Sequence, residues 1–161
     1  MKALILAAGF GTRLEAGLKG YDGAEREEVR QWVEGKPKGL VLIGGKPIVD
    51  YQLGQILNTG IKREAVFVQT NAIYYSQYLA WAVGNKIPGE NVFNNGIEAV
   101  SALLGPLADM KWALDRGLGY NDDVLVMAGD TLVFDDADKL FDLSRFVNDY
   151  QGLGRMVVYE G

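Results

Sequence analysis

Hydrophobic positions along this chain fall into short unbroken runs that alternate with stretches of helical spacing over most of its length. Lys2–Ala8 ("KALILAA") is a continuous apolar run ended by Gly9 and Gly11, the pattern of a strand buried on both faces. Pro47–Leu57 places Ile48, Tyr51, Gln52, Leu53 and Ile56 at helical spacing and meets a stop at Asn58-Thr59-Gly60. Ala65–Gln69 ("AVFVQ") predicts a strand, Ile73–Val83 a helix and Asn91–Phe93 a short strand. An amphipathic pattern over Ala99–Arg116 is interrupted at Gly105-Pro106, which predicts a loop or half-helix followed by a helix over Leu107–Arg116. Asp123–Ala128 predicts a further strand, Ala137–Tyr150 a helix and Arg155–Tyr159 a last strand.

Strands alternating with helices require right-handed crossovers, so the pattern predicts a three-layer, Rossmann-like α/β fold: a mostly parallel sheet with helices on both faces. One domain over 1–161 accommodates it, without internal repeats or low-complexity segments. The pattern breaks once. From Glu15 to Gly35 charged residues are dense and Gly is frequent, with a short polar helix predicted at Glu25–Val33. This polar excursion, about 15–35, reads as an exposed lid, a disordered loop or a plain solvated connection.

Composition narrows the chemistry. The 161 residues include no Cys and no His, which removes disulfides, thiolates, imidazole bases and the usual zinc ligands. Any catalysis rests on Asp, Glu, Lys, Arg and backbone amides. A net charge of −5 with no Lys/Arg-rich run argues against nucleic acid or an anionic membrane as the main partner. The apolar runs are too short to span a bilayer and the N-terminus does not resemble a signal peptide, so the expected location is the cytoplasm.

In a sheet of this kind ligands bind beyond the carboxyl ends of the strands. That rule selects the turn after the first strand, Asn71 after "AVFVQT", and Gly129-Asp130 after "DVLVMA". The first turn is not a dinucleotide fingerprint, because the position that would need the third Gly is Leu14; nor can the phosphate loop of the ATPases be laid on it. What it offers is flexible φ at Gly9 and Gly11, free backbone N–H groups, and the planar donors of Arg13. These suit a triphosphate.

Together, "LAAGFGTRL" (Leu6–Leu14), "GKPKGLVLIGGKPIVDY" (Gly35–Tyr51), "NNGIEAVSALLG" (Asn94–Gly105) and "VLVMAGDTLV" (Val124–Val133) resemble the sugar-phosphate nucleotidylyltransferase family. Its members carry a Leu-x-x-Gly-x-Gly-Thr-Arg-Leu loop, a Lys ahead of a Lys-Pro pair, and a Gly-Asp ending a strand. The resemblance runs from Met1 to about Val133, less surely beyond, and implies the nucleotide-diphospho-sugar transferase type of fold. It also implies Mg²⁺-dependent transfer of a nucleotidyl group from a nucleoside triphosphate to a sugar 1-phosphate or related phosphate, with release of pyrophosphate.

Carried onto this chain, the resemblance assigns Arg13 to the β- and γ-phosphates and Lys38, eight residues before Lys46, to the α-phosphate and the attacking phosphate. Asp130 would be a ligand of Mg²⁺. Leu6, Ala7, Ala8, Gly9, Gly11, Thr12, Asn71, Asn95 and Gly96 would contact the nucleotide, largely through backbone, with Glu98 or Ser101 reaching base or ribose. Asn71 reads equally well as the cap of the helix from Ile73. Lys46-Pro47 shapes the start of its helix, with Pro in the first turn, and Lys36 reads as a surface neighbour or a second phosphate contact. Asp109, similar to a helix-borne acid of some relatives, reads as an exposed helical Asp. Asp135, Asp136 and Asp138 read as capping residues for the helix that follows.

Three departures stand out. Gly39 replaces a bulkier residue of many relatives, Leu42 replaces a Pro, and the sequence stops at Gly161 where family members continue. The last implies a fragment, or a shortened relative that completes its site by another route; an exposed apolar edge at Arg155–Tyr159 would mark truncation and favour a homo-oligomer. Molybdenum-cofactor guanylyltransferases and polyol-phosphate cytidylyltransferases share the loop and lysine and remain alternatives. So does a nucleotide-binding module without turnover.

Overall fold

The computed structural model describes residues 1–132, 134–136 and 139–148. Its centre is β1 (Lys2–Ala7), which lies between two parallel neighbours. The turn after it leads into α1 (Thr12–Gly20), then α2 (Arg26–Val33), so the polar excursion is mainly two short helices rather than a loop. α1 buries no residue, in keeping with its charged composition. A 3₁₀ turn at Lys38–Leu40 precedes a small antiparallel pair, β2 (Leu42–Ile43) and β3 (Lys46–Pro47), and Pro47 opens α3 (Ile48–Asn58). Here Pro47 stands just before the first helical residue, where its missing N–H costs nothing and its φ of −56° suits the start.

The chain then alternates as its pattern predicts. β4 (Val66–Thr70) and α4 (Tyr75–Gly84) are followed by β5 (Val92–Asn94), α5 (Pro106–Ala113) and β6 (Val124–Ala128). These four main strands form one parallel sheet in the order β5-β4-β1-β6. β1 supplies Ala3, Ile5 and Ala7 to a core beneath α3 and α4, with Val49, Leu53, Ile56, Tyr78 and Ala82 from the helices. Its alternate residue Leu4 faces Ala113 and Leu118, with Met110 and Trp112 packed against them on the α5 side. A strand apolar on both faces therefore meets helices on both, giving the three layers.

The helix expected at Ala137–Tyr150 is corrected. β7 (Phe134–Asp136) and β8 (Lys139–Leu140) form a short antiparallel pair, and α6 starts only at Leu143, running to Asn148. The residue that caps it is Asp142, whose Oδ1 accepts the backbone N–H of Arg145 at 3.2 Å. The strand expected at Arg155–Tyr159 lies outside the described residues, as does Asp138. Among the described residues, no helix is long and apolar enough to cross a membrane.

Candidate functional site

At the carboxyl ends of the strands the chain leaves a cavity of about 210 Å³. Its floor is the end of β1 and the turn beyond it, Leu6 to Gly9. Such a floor is mostly backbone, because Ala7, Ala8 and Gly9 carry almost no side chain. Gly11, at φ 72°, closes that turn in a conformation natural to glycine and begins α1, its carbonyl accepting the N–H groups of Leu14 and Glu15.

One wall carries opposite charges. Lys38 and Asp130 both line the cavity, and Lys38 Nζ lies 3.3 Å from Asp130 Oδ2. Their side chains are 32% and 43% exposed, so the pair is accessible and weak by itself. Lys38 reaches Asp130 because its stem crosses Gly11: a Cβ at Gly11 would stand 3.5 Å from Lys38 Cγ. Asp130 is placed by the turn after β6, which a buried glutamine braces. Gln52 Nε2, from α3, donates to the carbonyls of Ala128 at 2.5 Å and Thr131 at 2.7 Å, on either side of Asp130. Gly129 donates its N–H to Leu6 O at 2.7 Å, joining this turn to β1.

Gly39 and Tyr78 complete that wall. A Cβ on Gly39 would lie 2.7 Å from the Tyr78 hydroxyl oxygen and 2.9 Å from Val49 Cγ1, so the close approach of these groups requires glycine. Burial pushes the Tyr78 phenol well above its ordinary pKa, while a hydrogen bond from the Gly39 backbone acts in the opposite sense and the Asp130 carboxylate nearby raises it further.

On the opposite side stand Pro106 and Asp109, from the first turn of α5. The expectation of an exposed Asp109 is corrected: the residue is buried and lines the cavity. Gln69, on β4, donates from Nε2 to Asp109 Oδ1 at 2.8 Å, and Asn95 Nδ2 donates to the same oxygen at 3.2 Å.

Four of the nine nucleotide-contact candidates line this cavity. Leu6, Ala7, Ala8 and Gly9 line the cavity with Lys38 and Asp130, and Gly11 abuts Lys38. Asn71 is buried behind the floor: its Nδ2 donates to Ala8 O at 2.9 Å and its Oδ1 accepts the N–H of Tyr74 at 3.0 Å. The amide thus holds the turn after β1 and the chain leading into α4 at once. Asn95 touches Asp109, and Gly96, at φ 75°, donates its N–H to Asn94 Oδ1. Thr12 and Arg13 are exposed in the first turn of α1 and lie outside the cavity lining. Glu98 and Ser101 are also exposed, beyond the lining.

The sequence reading missed Gln52, Tyr78 and the burial of Asp109. Helical spacing marked Gln52 as inward, and an amide at a core position was the available signal that it serves a backbone turn. For Tyr78 and Asp109 the partners come from distant segments, which spacing within one helix does not reveal.

Comparison with known proteins agrees with this architecture. A family model described as "MobA-like NTP transferase domain" matches residues 3–145. A UTP–glucose-1-phosphate uridylyltransferase from Haloferax volcanii is 37% identical over 68 residues, a segment that spans 42% of this chain and 22% of that protein.

Proposed function

This chain belongs to the MobA-like NTP transferase domain family, and from that premise we propose that it transfers a nucleotidyl group from a nucleoside triphosphate to a sugar 1-phosphate or a related phosphate, releasing pyrophosphate. The observation that carries this reading is the Lys38–Asp130 pair, 3.3 Å apart beside a floor of small residues and backbone. Two anionic phosphates must meet in line for such a transfer, and positioning and charge compensation do most of the work. Lys38 is the cation between them. Its Nζ leaves a half-exposed carboxylate and takes the α-phosphate and the attacking phosphate instead. Arg13, exposed on α1, swings to the β- and γ-phosphates of the leaving group.

Asp130 suits a Mg²⁺ site. It is a hard oxygen donor, 43% exposed at the cavity, and among the described residues no group of three or more His, Cys, Asp or Glu is gathered to enclose a metal. One carboxylate shared with substrate phosphates is a common donor set for Mg²⁺. When bound there, the ion neutralises phosphate charge and fixes the geometry of displacement. The chain's contribution is the orientation of Asp130, set by Gln52 on both flanking carbonyls.

The experiment is pyrophosphate release from each nucleoside triphosphate with Mg²⁺ and a panel of sugar 1-phosphates, polyol phosphates and molybdopterin. Turnover is expected with one base and one acceptor class. Lys38→Ala should lower that turnover by about 10²–10³-fold, the scale of losing one positioned charge donor, with a smaller loss in nucleotide affinity. Tight nucleotide binding without release for every acceptor would replace the enzyme with a binding module, and unchanged turnover in Lys38→Ala would remove the lysine from the mechanism.

A further inference from the structure

We propose that Tyr78 is a further catalytic residue, its hydroxyl donating a hydrogen bond to an oxygen of the phosphates that react beside Lys38; the inference rests on the nucleotidyl-transfer reading above. Tyr78 is 1% exposed and its ring belongs to the core beneath α3 and α4, yet the residue lines the cavity. Its hydroxyl stands between the two turns that carry the charged pair. A Cβ built on Gly39, the residue after Lys38, would meet that oxygen at 2.7 Å, and the same point lies against the carbonyl of Gly129, the residue before Asp130.

One half of this hydroxyl is used and the other is not. Its oxygen accepts a hydrogen bond from the Gly39 backbone. Its proton has no acceptor among the described residues, and the oxygen is not one of the interior polar atoms that lack both solvent and a partner. The neighbouring carboxylate does not take the proton: Asp130 Oδ2 faces Lys38 Nζ at 3.3 Å, and Oδ1 accepts from the Thr131 hydroxyl at 3.3 Å. Packing does not account for the group either, since a phenylalanine ring would fill the same slot without the cost of burying a hydroxyl. Because burial raises the phenol's pKa, the proton stays on the oxygen and the group is a neutral donor.

A phosphate supplies the missing acceptor. When Lys38 leaves Asp130 for the phosphates, anionic oxygens come to the wall formed by Lys38, Gly39, Tyr78 and Asp130. A hydroxyl that donates to such an oxygen makes a charge-assisted hydrogen bond, stronger than one to a neutral acceptor. No proton changes hands; the bond compensates charge while pyrophosphate leaves. Lys38 must swing to reach its place, whereas the Tyr78 hydroxyl is already fixed by Gly39 and the core, so its contribution needs no reorganisation.

Tyr78→Phe removes the hydroxyl and keeps the ring. Pyrophosphate release by the full chain, with Mg²⁺ and the nucleotide and acceptor it turns over, should fall about 10- to 100-fold in kcat in this variant. The two α-thio isomers of that nucleotide locate the bond, because sulfur is a poor acceptor. The isomer that turns sulfur toward the hydroxyl should slow the wild-type chain more than it slows Tyr78→Phe, while the other isomer slows both alike. If neither isomer separates the two proteins but the variant's KM for the acceptor rises about tenfold, the bond lies on the attacking phosphate and the proposal stands. An unchanged kcat with an unchanged acceptor KM overturns it. So does a fall in kcat that is the same for the ordinary nucleotide and both thio isomers with an unchanged acceptor KM, the mark of a merely structural role. Should no acceptor support turnover, the transfer reading falls by itself, and calorimetry with the thio isomers tests the phosphate contact alone: isomer discrimination lost in Tyr78→Phe supports it, and equal binding of every nucleotide by both proteins overturns it.

Discussion

Gly39, the residue after Lys38, stands where a side chain has no room. The space a side chain would need is taken by the Tyr78 hydroxyl and Val49 Cγ1, and the carbonyl of Gly129 comes closer still. The departure noted in the sequence, glycine where many relatives carry a bulkier residue, thus has a physical partner: the phenol of Tyr78 fills the place. Gly39→Ala should cost about 1–3 kcal/mol of stability through overpacking. Because the strain falls next to Lys38, it should also lower pyrophosphate release more than the stability loss alone explains. Denaturant unfolding and turnover measured on the same preparation check this, and an unchanged midpoint would show that the wall yields easily. Lys38 and Asp130 came forward in the sequence from local signs, the register with Lys46-Pro47 and the end of an apolar run. Asp109 did not, since its burial is set by Gln69, Asn95 and the end of β1, which lie far away in the chain. A carboxylate on a helix announces its environment only when the facing strands are known.

At the scale of elements, long apolar or periodic segments were legible and boundaries shaped by a few polar groups were not. The runs ending at Ala7, Thr70 and Ala128 became parallel strands because they can bury both faces. The helix predicted over Ala137–Tyr150 gives way to the short strands β7 and β8 with a helix only from Leu143, and the cap is Asp142. The end of α4 shows the same limit. Ile87 N–H bonds to Ala82 O at 2.9 Å and Lys86 N–H to Val83 O at 3.0 Å, a Schellman turn that places Lys86 at φ 61°. Glycine is the residue suited to that position, and nothing in the apolar pattern marks it. Lys86→Gly should therefore stabilise the protein by about 0.5–1 kcal/mol by relieving the left-handed conformation. Thermal unfolding measures it, and a lower melting temperature would mean that the unfolded chain's gain in entropy exceeds the relief.

For the whole molecule, tyrosines held neutral in the fold shape the response to alkali. Tyr21, Tyr74, Tyr78 and Tyr120 all have raised phenol pKa values. Burial is the leading cause at Tyr78 and Tyr74, and hydrogen bonds to Glu25 and Asp115 lead at Tyr21 and Tyr120. A phenol held neutral in the fold ionises sooner in the unfolded chain. The stability it gives is complete below the ordinary tyrosine value, about 10, and is lost as pH rises through the folded value. Urea midpoints should fall steadily above about pH 10, and Tyr78→Phe should make that fall shallower; an identical slope would assign the loss to other groups. The sheet order carries a further consequence, for synthesis. β1 leaves the ribosome before either of its neighbours in the sheet, residues 66–70 on one side and 124–128 on the other. Its apolar run must wait, half-paired, until residue 128 has been made. The interval in which Leu4–Ala8 stays sticky is thus fixed by topology, and chaperone demand should depend on how quickly translation reaches β6.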